Sequence, residues 1–262
     1  MDLGIAGKRA LVLGGNRGIG FGIARALAAE GADVVIAARD QARSAEAVRE
    51  LQAGAKGRVD SARLDLAEVA GMPAFADGLL RRFGAVDILV NNTGGPAYGG
   101  ASGRPAQEWT DRFQDMVLSV ITLTDALLPA MRQRRWGRIL TVISSGVMQP
   151  IPVLGISNAL RASLVGWSKT LSSEVAADGI TANILVPGRI DTERVRLTDE
   201  AVAARENIPV ADVKRRSTAT IPLGRYGTIE EFGAAAAFAA SAQASYITGA
   251  MIRVDGGIVR AW

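Results

Sequence analysis

Lys8-Arg9-Ala10-Leu11-Val12-Leu13-Gly14-Gly15-Asn16-Arg17-Gly18-Ile19-Gly20 is the stretch on which the fold turns. Lys8 to Leu13 is a short apolar run of strand length, and it ends in three glycines spaced G-x-x-x-G-x-G at Gly14, Gly18 and Gly20. Behind them lies Phe21-Gly22-Ile23-Ala24-Arg25-Ala26-Leu27-Ala28-Ala29-Glu30-Gly31, a helical composition closed by a glycine. The pattern predicts strand, glycine turn, helix. Such a turn lets backbone approach a pyrophosphate, and the helix start adds free N–H groups and the positive end of a dipole.

Working outward, Asp33 to Ala38 reads as a second buried strand with Arg39 at its carboxyl end. In a doubly wound sheet that end reads the adenine ribose, by an acid when the 2′-hydroxyl is free and by an arginine when it is phosphorylated. Arg39, together with Arg17 in the turn, predicts NADP(H) over NAD(H), because a guanidinium binds a phosphate dianion through paired hydrogen bonds. Helix Gln41 to Ala53, strand Arg58 to Leu64 and helix Glu68 to Phe83 follow, the last interrupted early by Gly71 and Pro73. Ala85 to Val90 is a clear strand leading into Asn91-Asn92-Thr93-Gly94-Gly95-Pro96. One long helix is predicted from Gln107 to Arg135, and its stripe of Trp109, Phe113, Met116, Val120, Leu123 and Leu127 reads as core or subunit contact.

Arg138 to Ile143 is the fifth strand and delivers Ser144-Ser145; a helix from about Gly155 to Ala177 and a strand from Ile180 to Val186 come next. After the turn Pro187 to Thr192, residues 193–228 are polar and irregular, with one helical portion expected near Glu200 to Arg216. A segment of that length inside a compact domain reads as a substrate lid. A small-residue helix, Glu230 to Ala240, and a last strand, Met251 to Val254, complete the chain. Strands and helices alternating at short spacing predict one α/β domain over residues 1–262, a Rossmann-type doubly wound parallel sheet with helices on both faces.

Composition narrows the chemistry. The 262 residues include no Cys and no His, which removes disulfides, thiolate sites, a cysteine nucleophile, every Ser-His-Asp triad and the commonest metal ligand, so no metal site is expected. The net charge of +4 is small, and the basic clusters Arg132 to Arg135 and Lys214 to Arg216 lack interleaved aromatics, which argues against nucleic acid. The start of the chain carries no signal-peptide pattern, and no uncharged apolar run reaches about 18 residues. A soluble cytoplasmic protein with a small-molecule substrate, and no membrane partner, is expected.

The stretch Ser144 to Arg161, SSGVMQPIPVLGISNALR, brings polar groups to a strand end and then to a helix start. Within it Ser157 and Arg161 are one helical turn apart and share a face, so a hydroxyl and a fixed cation point the same way.

These motifs, taken in order, resemble the short-chain dehydrogenase/reductase family along essentially the whole chain, and most of all its β-ketoacyl-ACP reductase-like branch. The family's glycine motif is matched by Leu13-Gly14 to Gly18-Ile19-Gly20, its adenine-side pair by Asp65-Leu66, and its NNAG by Asn91-Asn92-Thr93-Gly94. Pro187-Gly188 with Ile190 and Thr192 matches the element that in the family contacts the nicotinamide carboxamide. Ile221 to Arg225, Glu230-Glu231, Ile247-Thr248-Gly249 and Val254 to Gly257 match its terminal pattern. The resemblance thus implies cofactor contacts from Gly14, Asn16, Arg17, Gly18, Ile19 and Gly20 in the turn, and from Arg39, Asp65 and Leu66 on the adenine side. Asn92, Gly94, Arg161, Pro187, Gly188, Ile190 and Thr192 are implied toward the nicotinamide. It also implies an oligomer, a homotetramer or homodimer.

The departures fall on the catalytic tetrad, which in the family is Asn, Ser, Tyr and Lys. The serine is matched by Ser144, whereas Ser157 stands at the tyrosine, Arg161 at the lysine and Met116 at the asparagine. A phenol near pKa ~10 can be tuned by a neighbouring cation, while an aliphatic hydroxyl is a far weaker acid and arginine, near ~13, relays no proton. Three readings stay open. The first is an NADP(H)-dependent reductase of a carbonyl or activated alkene, with Ser144, Ser157 and Arg161 binding the oxyanion and Arg161 donating to ribose hydroxyls. There Tyr98 is the candidate substitute acid, since 2,4-dienoyl-CoA reductase is similar in having a serine at the tyrosine position and a tyrosine elsewhere. The second is a non-redox enzyme on the same scaffold, as halohydrin dehalogenases use Ser and Arg at two tetrad positions. The third is a protein that binds NADP(H) without turnover.

Overall fold

Seven short strands pair edge to edge into one parallel sheet because none can satisfy its backbone alone, and helices between successive strands return the chain to the same edge. The computed structural model describes residues 1–260, so the last two positions of the expected domain, 261 and 262, lie outside the described residues. In chain order come β1 (Arg9–Leu13), α1 (Gly18–Ala29), β2 (Asp33–Ala38), α2 (Gln41–Gln52), β3 (Val59–Arg63) and α3 (Met72–Phe83). These are followed by β4 (Ile88–Asn92), α4 (Ala106–Phe113), α5 (Ser119–Arg134), β5 (Gly137–Val142) and α6 (Gly155–Val175). The last third holds β6 (Ile180–Pro187), α7 (Glu193–Glu206), α8 (Val210–Thr218), α9 (Ile229–Ala239) and β7 (Met251–Val254).

The strand order is β3-β2-β1-β4-β5-β6-β7, with every neighbouring pair parallel. The order reverses between β1 and β4, and ligands on such sheets lie in the crevice at the strands' carboxyl ends there. One face of the sheet packs Ile23 and Leu27 of α1, Leu51 of α2 and Phe232 of α9 into a common core. The other packs Leu79 of α3, Leu123 and Leu127 of α5 and Leu171 of α6. This is the expected doubly wound α/β architecture.

Three details differ from the sequence expectations. Residues 193–228 hold two helices where one was expected: Asn207 ends α7 in the left-handed region at φ 53°, and Pro209 immediately precedes α8. An asparagine tolerates that turn and a proline cannot continue the helix before it, so the pair splits the segment. The fourth strand sits later than read, so that Asn91 and Asn92 pair with Thr141 and Val142 of β5 inside the sheet. The long helix is continuous but contains a π-helical turn, Gln114–Leu118, between α4 and α5.

Residues 106–134 form a helical stretch long and apolar enough, by length and composition alone, to cross a membrane. Its apolar side chains Val120, Leu123, Leu127 and Met131 are instead buried within the protein.

Candidate active site

The glycine turn is shaped by contacts that no side chain could share. Gly14 and Gly18 have φ of 60° and 54°, the left-handed region that favours glycine. A Cβ on Gly20 would come within 2.3 Å of the Gly14 carbonyl oxygen, which is why α1 can start directly beneath β1. Asn92 Nδ2 donates to the Leu13 carbonyl at 3.1 Å and ties the turn to the end of β4. Among the described residues no side chain caps the N-terminus of α1 and no acid stands in its first turn, so the dipole there is uncompensated, while Ile19 packs against the core behind it.

Beside this turn lies an open cleft of about 790 Å³, lined by Asn16, Arg17 and Gly18, by Asp40 and Arg43 at the start of α2, and by Thr192, Glu193 and Arg196 at the start of α7. Asp40 caps α2 by accepting from the Arg43 amide at 3.0 Å, which fixes where the Arg43 side chain leaves the helix. Arg43 Nη2 lies 2.9 Å from Glu193 Oε2, and Arg17 Nη1 lies 3.7 Å from the same oxygen. Two cations thus already converge on one carboxylate. Arg39, the residue singled out from sequence, is exposed and makes no hydrogen bond or ion pair among the described residues. Arg43 went unnoticed because its position, three residues past a helix cap, carries no signal until α7 is folded against α2.

Asp65 accepts from the Ala67 amide at 3.1 Å at the end of β3, and Leu66 packs into the sheet's core. Gly188 donates to the Val254 carbonyl at 3.0 Å, pinning the Pro187-Gly188 turn to β7, and Ile190 is buried and bridged to Gly227. Thr192 caps α7, its hydroxyl accepting from the Val195 amide at 3.4 Å. The helix is anchored from behind by buried Asp199, which accepts from the Tyr226 hydroxyl at 2.9 Å and pairs with Arg189.

Ser144 stands in extended conformation just past β5 and its hydroxyl accepts from the Gly146 amide at 3.1 Å. Ser157, in the first turn of α6, is 5% exposed, and its hydroxyl has no hydrogen-bond partner among the described residues. Arg161 follows one turn later at 7% exposure. Its guanidinium donates Nη1 to the Val142 carbonyl at 3.0 Å and Nη2 to the carbonyls of Thr93 at 3.3 Å and Gly94 at 3.0 Å. The planar fork therefore joins the ends of β4 and β5, which the compact ammonium of a lysine could not do in the same way. Burial above all, then the nearby Arg194, push its pKa down to about 10 against the opposing pull of Asp115, so it remains a cation at neutral pH.

Met116, which the sequence resemblance aligned with the family asparagine, is buried at the centre of the π-helical turn. Such turns are rare and recur at functional sites; no glycine or proline in Gln114 to Leu118 signals this one. Asp115 beside it pairs with Arg112 at 2.7 Å, and burial raises its carboxyl above the ordinary range despite that partner.

Tyr98 is 46% exposed, and its hydroxyl is hydrogen-bonded to Thr198 of α7. Its loop is fixed to the start of α6, since the Gly99 amide donates to the Val153 carbonyl at 2.7 Å and the Gly155 amide to the Gly99 carbonyl at 3.0 Å. The backbone beside Tyr98 is thereby held against the turn that opens α6, while its phenol reaches α7. The buried Thr93 hydroxyl and one oxygen of Asn91 are left without a partner at the end of β4.

Residues 14–259 match the family model described as enoyl-(acyl carrier protein) reductase. The chain belongs to the short-chain dehydrogenase/reductase family. It is 37% identical over 255 residues to the 3-oxoacyl-(acyl-carrier-protein) reductase FabG of Escherichia coli strain K12, covering 96% of this chain and 97% of that one. It is 35% identical over 254 residues to a D-beta-hydroxybutyrate dehydrogenase of Cupriavidus necator, covering 97% and 98%. Among solved structures, the L-sorbose reductase of Gluconobacter frateurii complexed with NADPH and L-sorbose superposes with a TM-score of 0.95 at 32% identity, over 100% of both chains.

Proposed function

We propose that this protein is an NADP(H)-dependent oxidoreductase that reduces a carbonyl or activated alkene at a non-standard Ser/Arg site. The observation that carries the reading is the pair Arg17 and Arg43, converging on a single anionic oxygen beside the uncapped start of α1. A doubly charged 2′-phosphate suits that pair, and the pyrophosphate suits the free amides. The donor set therefore fits the cofactor, and the relatives agree in kind, the sorbose reductase being an NADPH complex. When bound, NADPH supplies the hydride.

The chain's own residues then have separate tasks. Gly14 to Gly20 and the Arg17, Arg39 and Arg43 cations hold the adenine and phosphate end, while Asn92, Gly94, Pro187, Gly188, Ile190 and Thr192 frame the nicotinamide end. Ser144 and Ser157 hydroxyls donate to the substrate oxygen as negative charge develops on it. Arg161 holds the ends of β4 and β5 in register and adds positive potential from beneath, and Tyr98 is the proton donor. Residues 193–228 act as the lid over the substrate. The reading includes a cytoplasmic location and assembly as a homotetramer or homodimer, which light scattering on the purified chain tests.

Fluorescence titration with NADPH, followed by oxidation assays over ketones, enones and thioester enoyl substrates, tests the proposal. Binding at micromolar concentration with turnover is expected, with Ser144→Ala and Tyr98→Phe each slowing turnover at least tenfold. No NADPH binding at tens of micromolar sinks it.

A second reading, an NADP(H)-binding protein without turnover, is favoured by one observation. The Arg161 fork is spent on three main-chain carbonyls, and the hydroxyl one turn before it belongs to a serine, not a phenol. NADPH binding with no substrate oxidising it would select this alternative.

A further inference from the structure

Arg194, the second residue of α7, differs from the charged residues around it. Glu193 is paired with Arg43 at 2.9 Å, Arg196 with Asp191 at 3.6 Å, and Arg189 with Asp199. Arg194 has no carboxylate partner among the described residues; its fork makes one hydrogen bond, from Nη2 to the Pro96 carbonyl at 3.2 Å. The fork lies directly over Gly95, where a Cβ would stand 2.5 Å from both Nη1 and Nη2. Glycine at position 95 thus lets the guanidinium lie close over the loop after β4, where a larger residue would push the arginine's end aside.

That loop also carries Thr93 and Gly94, whose carbonyls hold the Arg161 guanidinium from the other side. Arg161 has no carboxylate partner either, and Arg194 is close enough for its charge to act on it. The one acid acting on Arg161 is Asp115, which is already paired with Arg112. Two guanidinium groups therefore donate to the carbonyls of Thr93, Gly94 and Pro96, neither with a carboxylate partner among the described residues, and Ser157 stands one helical turn before Arg161 on α6. Arg194 is exposed, so water screens part of its repulsion with Arg161, and an anion held against the outer guanidinium offsets what remains. A planar guanidinium with most of its donors unused takes a carboxylate through two parallel hydrogen bonds.

We infer that the substrate carries its own carboxylate, making it an oxo acid, and that Arg194 is the residue that recognises it. The inference rests on the reductase reading for the word substrate. The anion site itself does not depend on turnover.

Calorimetry with malonate, a carboxylate that cannot be reduced, tests the site on the full chain with and without NADP⁺. Malonate is expected to bind, Arg194→Ala to weaken it at least tenfold, Arg194→Lys to restore part of the loss, and Arg205→Ala, whose cation is already paired with Glu206 at the far end of α7, to change it less than twofold. Turnover adds a second readout: acetoacetate should be preferred over its methyl ester, and the preference should collapse in Arg194→Ala. The inference is overturned if malonate does not bind, if Arg194→Ala leaves its affinity unchanged, or if that substitution weakens NADP⁺ while sparing malonate, which would make Arg194 a cofactor residue. Failure of the reductase reading shows separately, as no oxidation of NADPH by either acetoacetate or the ester while malonate still binds.

Discussion

Glu193 Oε2 lies 2.9 Å from Arg43 Nη2, so the first residue of α7 neutralises a cation on α2 at the mouth of the cofactor cleft. Arg17 stands 3.7 Å from the same oxygen. In the proposed binding mode the 2′-phosphate competes with Glu193 for these donors. The pair is largely solvent-exposed and worth about 1 kcal/mol at most, which is a factor of about five in affinity. Glu193→Gln should therefore tighten NADPH by up to about fivefold and leave NADH unchanged, as measured by fluorescence titration.

The converse holds for the cations. Arg43→Ala and Arg39→Ala should each weaken NADPH far more than NADH, because only the former carries the 2′-phosphate. Equal loss for both cofactors in both variants would remove the phosphate argument.

Arg161 is expected to matter to stability as well as to the site. Removing it leaves three carbonyls at the ends of β4 and β5 without their donor, at about 1 kcal/mol each, partly offset by relief of burying a charge. Arg161→Ala should cost about 2 to 3 kcal/mol in urea unfolding. A loss below about 0.5 kcal/mol would mean that the fork is not structural.

Restoring the family's pair tests whether the surrounding site is intact. The double change Ser157→Tyr with Arg161→Lys places a phenol and an ammonium one turn apart on α6, and ketone reduction by NADPH is expected to rise at least tenfold. Silence with the protein still folded, checked by circular dichroism, would count against the assignment of Ser157 and Arg161 to those positions.

Glu231 offers a pH signature. It accepts from both Nη1 and Nη2 of Arg225 and from the Thr228 amide in the box that starts α9. The Arg225 hydrogen bonds first, and the Thr228 amide next, hold its pKa down to about 2 against an ordinary 4.5. A carboxylate depressed on folding adds stability that is present above about 4.5 and is lost as pH falls through about 2. Glu231→Gln should therefore melt lower than the parent at pH 7, with the gap closing as pH falls toward 2, in thermal unfolding followed across that range.

Much of the architecture was legible because it rests on local patterns. Asp33 to Ala38 and Met251 to Val254 are strands at the bounds read from the sequence; the first is a buried apolar run, the second a short, partly buried strand at the sheet's edge. The glycine turn was legible for the same reason, as its φ values need particular residues at particular places. The split of residues 193–228 was missed, although Asn207 and Pro209 are its cause, because a polar stretch gives no periodicity from which to read two helices. The π-helical turn at Gln114–Leu118 left no residue signature at all, as one extra residue in a helical turn is accommodated by any side chains.

The sequence by itself determined the strand, turn and helix at Gly14 to Gly20, the order of the strands and the family resemblance, because each is a property of residues close together in the chain. The tertiary structure alone decided that Arg43 meets Glu193, that Arg161 spends its fork on Val142, Thr93 and Gly94, and that Arg194 lies over Gly95 with no carboxylate partner among the described residues. Those relationships join residues up to 150 positions apart. Coulomb attraction and hydrogen bonding act over a few ångströms, so which charges are paired and which are left free is set only when the sheet and its helices bring them together.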